Sequence, residues 1–564
     1  MTYQYVSLYR QTLAERQTRY NAAIASGQST PFLYPWDTLP ALYLLIAIAV
    51  TPRIPPARAK AIRYISFLLV LLHSAYIVSH RRTLSFASGY MVGIANAWGV
   101  IMSAALLVFN DVAKDFNRLE TRPVELAGTG SCQDGVVATS AVDLASSIDL
   151  TMRKVPGLSS SMGTKQLSSV RADKLSTRPY KLVWQGYPLR SDWSHVVDWA
   201  ADLITNFRGV NWNHRIPTLG KVDAPVPSMP QKQTSTVSVE AESRPTAVPP
   251  QTLRSLQLRS LQYFSVTYVL LDFLKTTMMT DPYFLGLEPL ESPTPWPWLA
   301  RLNHHIPVAT RCVRLLTSMA GVVTALTFIF TLSPLFFASI LPAFMDVSKI
   351  TRSPLLEPCM YPPQWHPLAE SLFHSGLAGF WGNFWHQMFR FGFSEPSRVL
   401  IERLDIERRG DAARTIQLVV AFFLSGSIHA AGSYTTFSLE TSHPFSGSFL
   451  FFFAQGCGIL LQSWLVRLIF QYVPQIKSLP QVVRQTTNLV FAGLYLYFTG
   501  PLLTSDIARC GVWLFEPVPI SPLRGLGWGP GGKDEGWWAW YQEGSKWIGW
   551  WPGDHWWQRG MAIY

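Results

Sequence analysis

The chain has 564 residues and a formal net charge of +12, with 48% hydrophobic, 15% charged and 13% aromatic residues. Ordinary soluble proteins carry about 25% charged residues; the shortfall, beside a mean hydropathy of only +0.14, implies very apolar segments averaged with a long polar one. The aromatic content excludes a disordered chain, and five Cys in so long a chain exclude a disulfide-rich secreted module. The basic charge reads as loop charge of a membrane protein, with no nucleic-acid partner.

Residues 1–35 are polar and mixed and lack the apolar core of a cleavable signal peptide. Apolar runs follow at about Trp36–Val50, Ile62–Ser79 and Phe86–Phe109, so residues 36–110 are expected to hold three membrane helices. Basic residues flank the second run on both sides (Arg53, Arg58, Lys60 and Arg63, then Arg81 and Arg82), which leaves its orientation open. Residues 111–257 form a polar loop rich in Ser, Thr, Pro, Asp and Lys. Within it, Gly128–Thr177 and Thr218–Gln251 are expected to be disordered, because they hold too little apolar surface to offset ordering entropy. Between them Trp193, Val196, Val197, Ala200, Leu203, Ile204 and Phe207 recur at helical spacing. That predicts an amphipathic helix over about 192–207, ended by Gly209 and packed on the membrane domain or its surface.

Residues 258–504 are read as the membrane core. Their apolar runs are Leu261–Met278, Val313–Leu341, Arg414–Phe437, Phe449–Tyr472 and Leu489–Leu503. The stretch Pro363–Ser394 mixes His, Gly and aromatics, as in a broken or re-entrant segment. The expected fold is an all-α polytopic membrane protein of about eight transmembrane helices, within seven to ten. Residues 505–564 hold ten of the 22 Trp; this tail is expected to lie against the membrane interface without crossing it.

Ionisable groups at membrane depth are costly and therefore functional suspects. Asp272 and Lys275 lie three apart on one helix face, either as a neutralising pair or in substrate positioning. In FWGNFWHQMFR, residues 380–390, helical spacing puts Gly382, His386 and Arg390 on one face, with Asn383 and Gln387 beside it. Such polar groups among Phe380, Trp381, Phe384, Trp385 and Phe389 fit either a ligand site or an interfacial aromatic belt. In LSGSIHAAG, His429 sits among small residues that permit close approach, with Ser425 one turn before it. It is either an interhelical bond or a functional base. His366 and His374 read as structural. The histidines are scattered and no Cys pair has zinc spacing, so no metal site is expected.

FWGNFWHQMFR, with His429 following 43 residues after His386, resembles the membrane-bound O-acyltransferase superfamily. It is more similar to the wax synthase-like branch, with its Phe-Trp-Gly-x-x-Trp-(His/Asn) motif and later helix-borne His. RPYKLVWQGYPLRSDWSHVVDWAADLITNFRGVNWN, Tyr268–Asp272 and PVPISPLRGLG resemble fungal members, which are O-acetyltransferases of terpenoid and meroterpenoid biosynthesis. The resemblance implies a core enclosing a reaction channel and His429 as the catalytic His. It puts His386 at the upstream Asn/His place, as a second acid/base group or a hydrogen-bond donor. It implies acetyl-CoA as co-substrate with no bound cofactor, and a hydrophobic terpenoid alcohol as acceptor. Trp381, Asn383, Trp385, Gln387, Arg390, Ser425 and Asp272 are the expected substrate- and CoA-binding residues, with Arg390 facing CoA phosphates. Localisation in the endoplasmic reticulum is implied. A long-chain acyl-CoA:alcohol acyltransferase making wax or sterol esters, and a non-enzymatic transporter or scaffold, remain as alternatives.

Overall fold

Residues 2–123, 180–220, 252–438, 442–473, 475, 479–540 and 547–564 are described by a computed structural model. The stretch Gly128–Thr177 lies outside them, as does Thr218–Gln251 beyond residue 220.

The chain opens with a helix that its composition conceals, α1 (Thr2–Ala25). Its inward face is Tyr9, Thr12, Arg16 and Tyr20, all buried and spaced three, four and four apart. Two of the four are polar, so no apolar stripe announces them. Strand β1 (Phe32–Tyr34) leads into α2 (Leu39–Val50), which has Pro40 in its first turn, where a missing N–H costs nothing. Helix α3 (Pro56–His80) follows Pro55, and α4 (Phe86–Ser103) continues into a π-helical turn, Ala104–Val108. Ile65, Leu68 and Leu72 of α3 are half exposed or more. An apolar face that no protein covers is what a lipid-facing helix requires.

The polar loop contributes a docked platform. Strands β2 (Arg118–Pro123) and β3 (Tyr180–Gln185) pair antiparallel, and α5 (Trp193–Thr205) packs beside them. Gly209 after the helix takes φ +61°, which favours glycine. Val196, Trp199, Ala200 and Leu203 are buried in one core with Leu44, Ala47 and Ile48 of α2 and with Trp98 and Leu106 of the α4 segment. Trp193 and Val197, expected on the inward stripe, are 55% and 43% exposed; His195 and Trp199 take their place. Asp198 and Asp202 lie off the apolar stripe yet are not idle. The fully buried Arg118 bonds Glu120 at 2.7 Å, Asp198 at 2.7 Å and Asp202 at 3.4 Å, and His195 reaches Glu120 at 2.9 Å. Burial alone would push Glu120 up, but His195 and the Arg118 guanidinium hold it below the usual carboxylate range. For Arg118, burial opposes the charge and the carboxylates of Asp202, Asp198 and Glu120 more than offset it, raising its pKa.

The core follows: α6 (Leu253–Met278), α7 (Ala309–Leu335), α8 (Leu368–Gly379), α9 (Arg390–Arg403), α10 (Asp411–Thr435), α11 (Leu450–Tyr472) and α12 (Gln481–Arg509). Helix α7 carries Pro334 near its end, then a π-helical turn at Phe336–Ile340. Helix α10 packs against α4, α9 and α11, while α6 packs against α7 and α8 against α12. Among the described residues five helices are long and apolar enough to cross a membrane: Pro56–His80, Gly89–Val108, Ala309–Phe344, Asp411–Thr435 and Phe445–Tyr472. The architecture is that of an all-α polytopic membrane protein. The other three expected spans fall on α2, which is short, and on α6 and α12, whose polar residues dilute the apolar run.

Asp272 and Lys275 do not pair with each other, which corrects the expected neutralising pair. The Asp272 carboxylate accepts from Ser521 Oγ at 2.5 Å and Leu523 N at 2.9 Å. Lys275 Nζ donates to the carbonyls of Trp513 at 2.7 Å and Leu514 at 3.1 Å. Both therefore fasten the C-terminal segment to α6. That segment closes on β4 (Ile548–Trp551) and β5 (Gly560–Ile563), in a sheet of order β1-β5-β4. Trp513 is buried, whereas Trp528, Trp538, Trp550 and Trp556 are each at least 66% exposed.

The α4–α10 contact is close because glycine permits it. A Cβ on Gly93 would run into the Ala431 carbonyl and the Gly432 amide. Gly93→Leu is expected to cost about 1–3 kcal/mol through overpacking, lowering the thermal midpoint of the solubilised protein. An unchanged midpoint would show that the two helices separate freely.

Candidate active site

His429 lies in the last two turns of α10, where Gly426, Ala430, Ala431 and Gly432 thin the helix surface. Gly432 abuts the Tyr90 ring of α4, and Gly426 abuts Phe449. Neighbouring helices thus reach the imidazole itself. The His429 ring lies on Phe452 of α11, with centroids 4.1 Å apart and planes 11° from parallel. Its Nδ1 is 3.1 Å from the Tyr90 hydroxyl. Ser425 stands one turn earlier on the same helix, half-buried.

The second motif is not a continuous helix. At Gly376 the chain takes φ 56° and ψ −132°, and a Cβ there would strike the Gln462 side chain. Gln462 Oε1 instead accepts from Leu377 N at 3.0 Å, satisfying an amide in the kink. Residues Phe380–Phe384 form a π-helical turn, Trp385 is extended, and helix resumes at Arg390. The expected single face of Gly382, His386 and Arg390 therefore does not exist, which is a correction. The broken segment expected over Pro363–Ser394 is what the chain forms. Aromatic rings hold the break open: Trp381 packs on Phe380, Phe422, Phe451 and Phe452, and its Nε1 donates to Gln455 Oε1 at 3.3 Å.

The aromatic wall links His386 to His429. A ring-to-ring path joins them: His429 on Phe452, Phe452 on Trp381 at 5.7 Å, Trp381 on Trp385 at 5.4 Å, and Trp385 on His386 at 5.3 Å. His386 is also ringed by Phe330, Trp365 and Phe389. Its Nδ1 is buried and has no hydrogen-bond partner among the described residues. A buried polar atom without a partner is uncommon and marks a place a ligand can satisfy.

The remaining candidates divide. Gln387 Nε2 donates to the carbonyls of Trp381 at 2.9 Å and Trp385 at 2.7 Å, so it braces the broken turn. Arg390 Nη1 donates to Gln387 Oε1 at 3.1 Å and Gly382 O at 3.3 Å, reinforcing the same turn. Asn383 is exposed at its edge. Asp272 is engaged with the C-terminal segment as described. His366 and His374 are exposed. A residue not anticipated is Arg208, just beyond α5: it bonds Gln364 Oε1 and donates to Pro363 O at 2.9 Å, and its charge is felt at His386. Burial, then repulsion from Arg215, lowers its pKa to about 10. It carries no sequence signal, because its contacts lie about 155 residues away.

Residues 361–454 match the model of the Membrane bound O-acyl transferase family. That stretch holds the broken aromatic segment, His386 and His429. Among curated relatives, the chain is 32% identical over 26% of its length to acetyltransferase eriL of Hericium erinaceus, covering 37% of that protein. It is 33% identical over 29% of its length to acetyltransferase ataH of Aspergillus terreus, covering 53% of it. It is also 27% identical over 24% of its length to O-Mevalon transferase yanI of Aspergillus niger, covering 32%. The matched part thus spans about a third to a half of these relatives. No solved structure matches.

Proposed function

We propose that the protein is a membrane-bound O-acetyltransferase that moves acetyl from acetyl-CoA to a hydroxyl of a hydrophobic terpenoid or meroterpenoid. The observation that carries this reading is the run of packed rings that joins His429 to His386 within residues 361–454. The names of eriL and ataH as acetyltransferases favour acetyl as the group transferred.

An alcohol is a poor nucleophile at neutral pH. His429 takes the hydroxyl proton as the alcohol oxygen attacks the thioester carbonyl, help worth about 10²–10⁴ in rate. The carbon–oxygen bond forms and the carbon–sulfur bond breaks. The proton on His429 passes to the departing thiolate, leaving an acetate ester and free CoA. The developing oxyanion takes a hydrogen bond from His386, whose ring nitrogen is otherwise unsatisfied. Trp381 and Trp385 line a reaction channel that excludes water and holds both reactants close. The acceptor enters from the bilayer and the donor from the water side, in the endoplasmic reticulum membrane.

Microsomes from cells expressing the protein are incubated with labelled acetyl-CoA or palmitoyl-CoA and a panel of terpenoid alcohols. Acetyl esters that depend on the protein are the expected result. Palmitoyl esters alone would replace the reading with long-chain acyl transfer, and no ester from either donor would overturn it.

A further inference from the structure

The side of His429 that faces away from the aromatic wall leads into a buried polar chain. Tyr90 is 8% exposed, Ser448 0% and Asp506 2%. Tyr90 lies on α4, Ser448 in the π-helical turn Phe445–Phe449 before α11, and Asp506 near the end of α12. The Tyr90 hydroxyl is 3.1 Å from His429 Nδ1 and also meets Ser448. Ser448 Oγ donates to Asp506 Oδ2 at 2.6 Å, and His443 N donates to Oδ1 at 2.8 Å. A Cβ on Gly447 would collide with Asp506, so glycine is what lets this turn and this carboxylate approach.

We infer that Tyr90, Ser448 and Asp506 are positioning residues that fix the tautomer of His429, leaving Nε2 free as the base. The inference rests on the acetyltransferase reading above. Its logic is donor counting. An ionised carboxylate only accepts, so Ser448 must spend its one proton on Asp506. Ser448 then accepts from Tyr90, and Tyr90, its proton spent, accepts from His429 Nδ1–H. The neutral imidazole carries one proton, and this chain holds it on Nδ1. The lone pair on Nε2 is then available for the alcohol proton. Phe452 fixes the plane of the ring and the polar chain fixes its rotation within that plane. Once His429 accepts the substrate proton, the carboxylate at the far end favours the resulting cation.

The test uses the full-length protein in microsomes. Tyr90→Phe removes one oxygen and keeps the ring; Asp506→Asn removes the charge. Each is expected to lower kcat about 10- to 100-fold, the range typical when a partner orienting a functional His is lost. KM for acetyl-CoA and the amount of protein in the membrane should stay as in wild type. In a His429→Ala background the same substitutions should change nothing further, which a packing role would not predict. Wild-type kcat in Tyr90→Phe, while His429→Ala is inactive, would overturn this inference and leave the acetyltransferase reading standing. Wild-type activity in His429→Ala would overturn both. If Asp506→Asn fails to accumulate, Tyr90→Phe alone decides.

Discussion

In microsomes carrying His429→Ala, acetyl transfer per molecule of protein is expected to fall by at least about 10²–10⁴, the contribution of a positioned general base. The protein should accumulate as before, because the substitution removes a ring that neighbours approach and leaves α10 intact. Incorporation of labelled acetyl, normalised to protein in the membrane, measures it. His386→Phe keeps the ring volume and removes the donor; it should cost about 10²–10³, as loss of an oxyanion donor does elsewhere. Undiminished turnover in His429→Ala would remove His429 from the chemistry altogether.

The largest effect on stability is expected at Arg118. Arg118→Met leaves Glu120, Asp198 and Asp202 without the cation they share. Removing one partner from a buried ionic cluster costs about 3–5 kcal/mol. The thermal midpoint of the solubilised protein should drop clearly, compared at one scan rate because unfolding of such proteins is often irreversible. Adding Glu120→Gln and Asp198→Asn to Arg118→Met should recover part of the loss, since the stranded charges go with the cation. An unchanged midpoint in Arg118→Met would mean that the hairpin and α5 stay docked through apolar contacts alone.

How much of this was legible in the sequence differs by element. The apolar runs gave the helices their places, because a lipid-facing helix needs nothing but apolar residues in sequence. The α5 pattern was readable for the same local reason, although its inward face rotated to bury His195. Helix α1 was not readable, since its buried face includes Thr12 and Arg16, whose partners are far along the chain: Arg16 bonds the carbonyls of Phe437 and Cys510. His386 and His429 stood out as polar groups in apolar runs. The break between Gly376 and Arg390 was only half visible: glycine and aromatics suggested irregularity, but not that Gln462 would take the place of a missing helical bond. Tyr90, Ser448 and Asp506 could not be found by spacing. Tyr90 and His429 are 339 positions apart, and nothing local distinguishes a tyrosine that meets a histidine from one that meets lipid.

The clasp between the two ends of the chain has a consequence for biosynthesis. Strand β1 pairs with β5, matching Phe32 with Ile563, and Tyr9 of α1 bonds Glu516 at 2.7 Å. Phe32 is therefore made long before the strand that it pairs with. Translation at about 5–20 residues per second separates the synthesis of Phe32 and Ile563 by roughly half a minute or more. During that interval the membrane helices between them can insert and associate, while β1 waits for its partner. Closure of the clasp therefore waits for β5, and a chain cut short before Gly560 leaves β1 without the strand it pairs with.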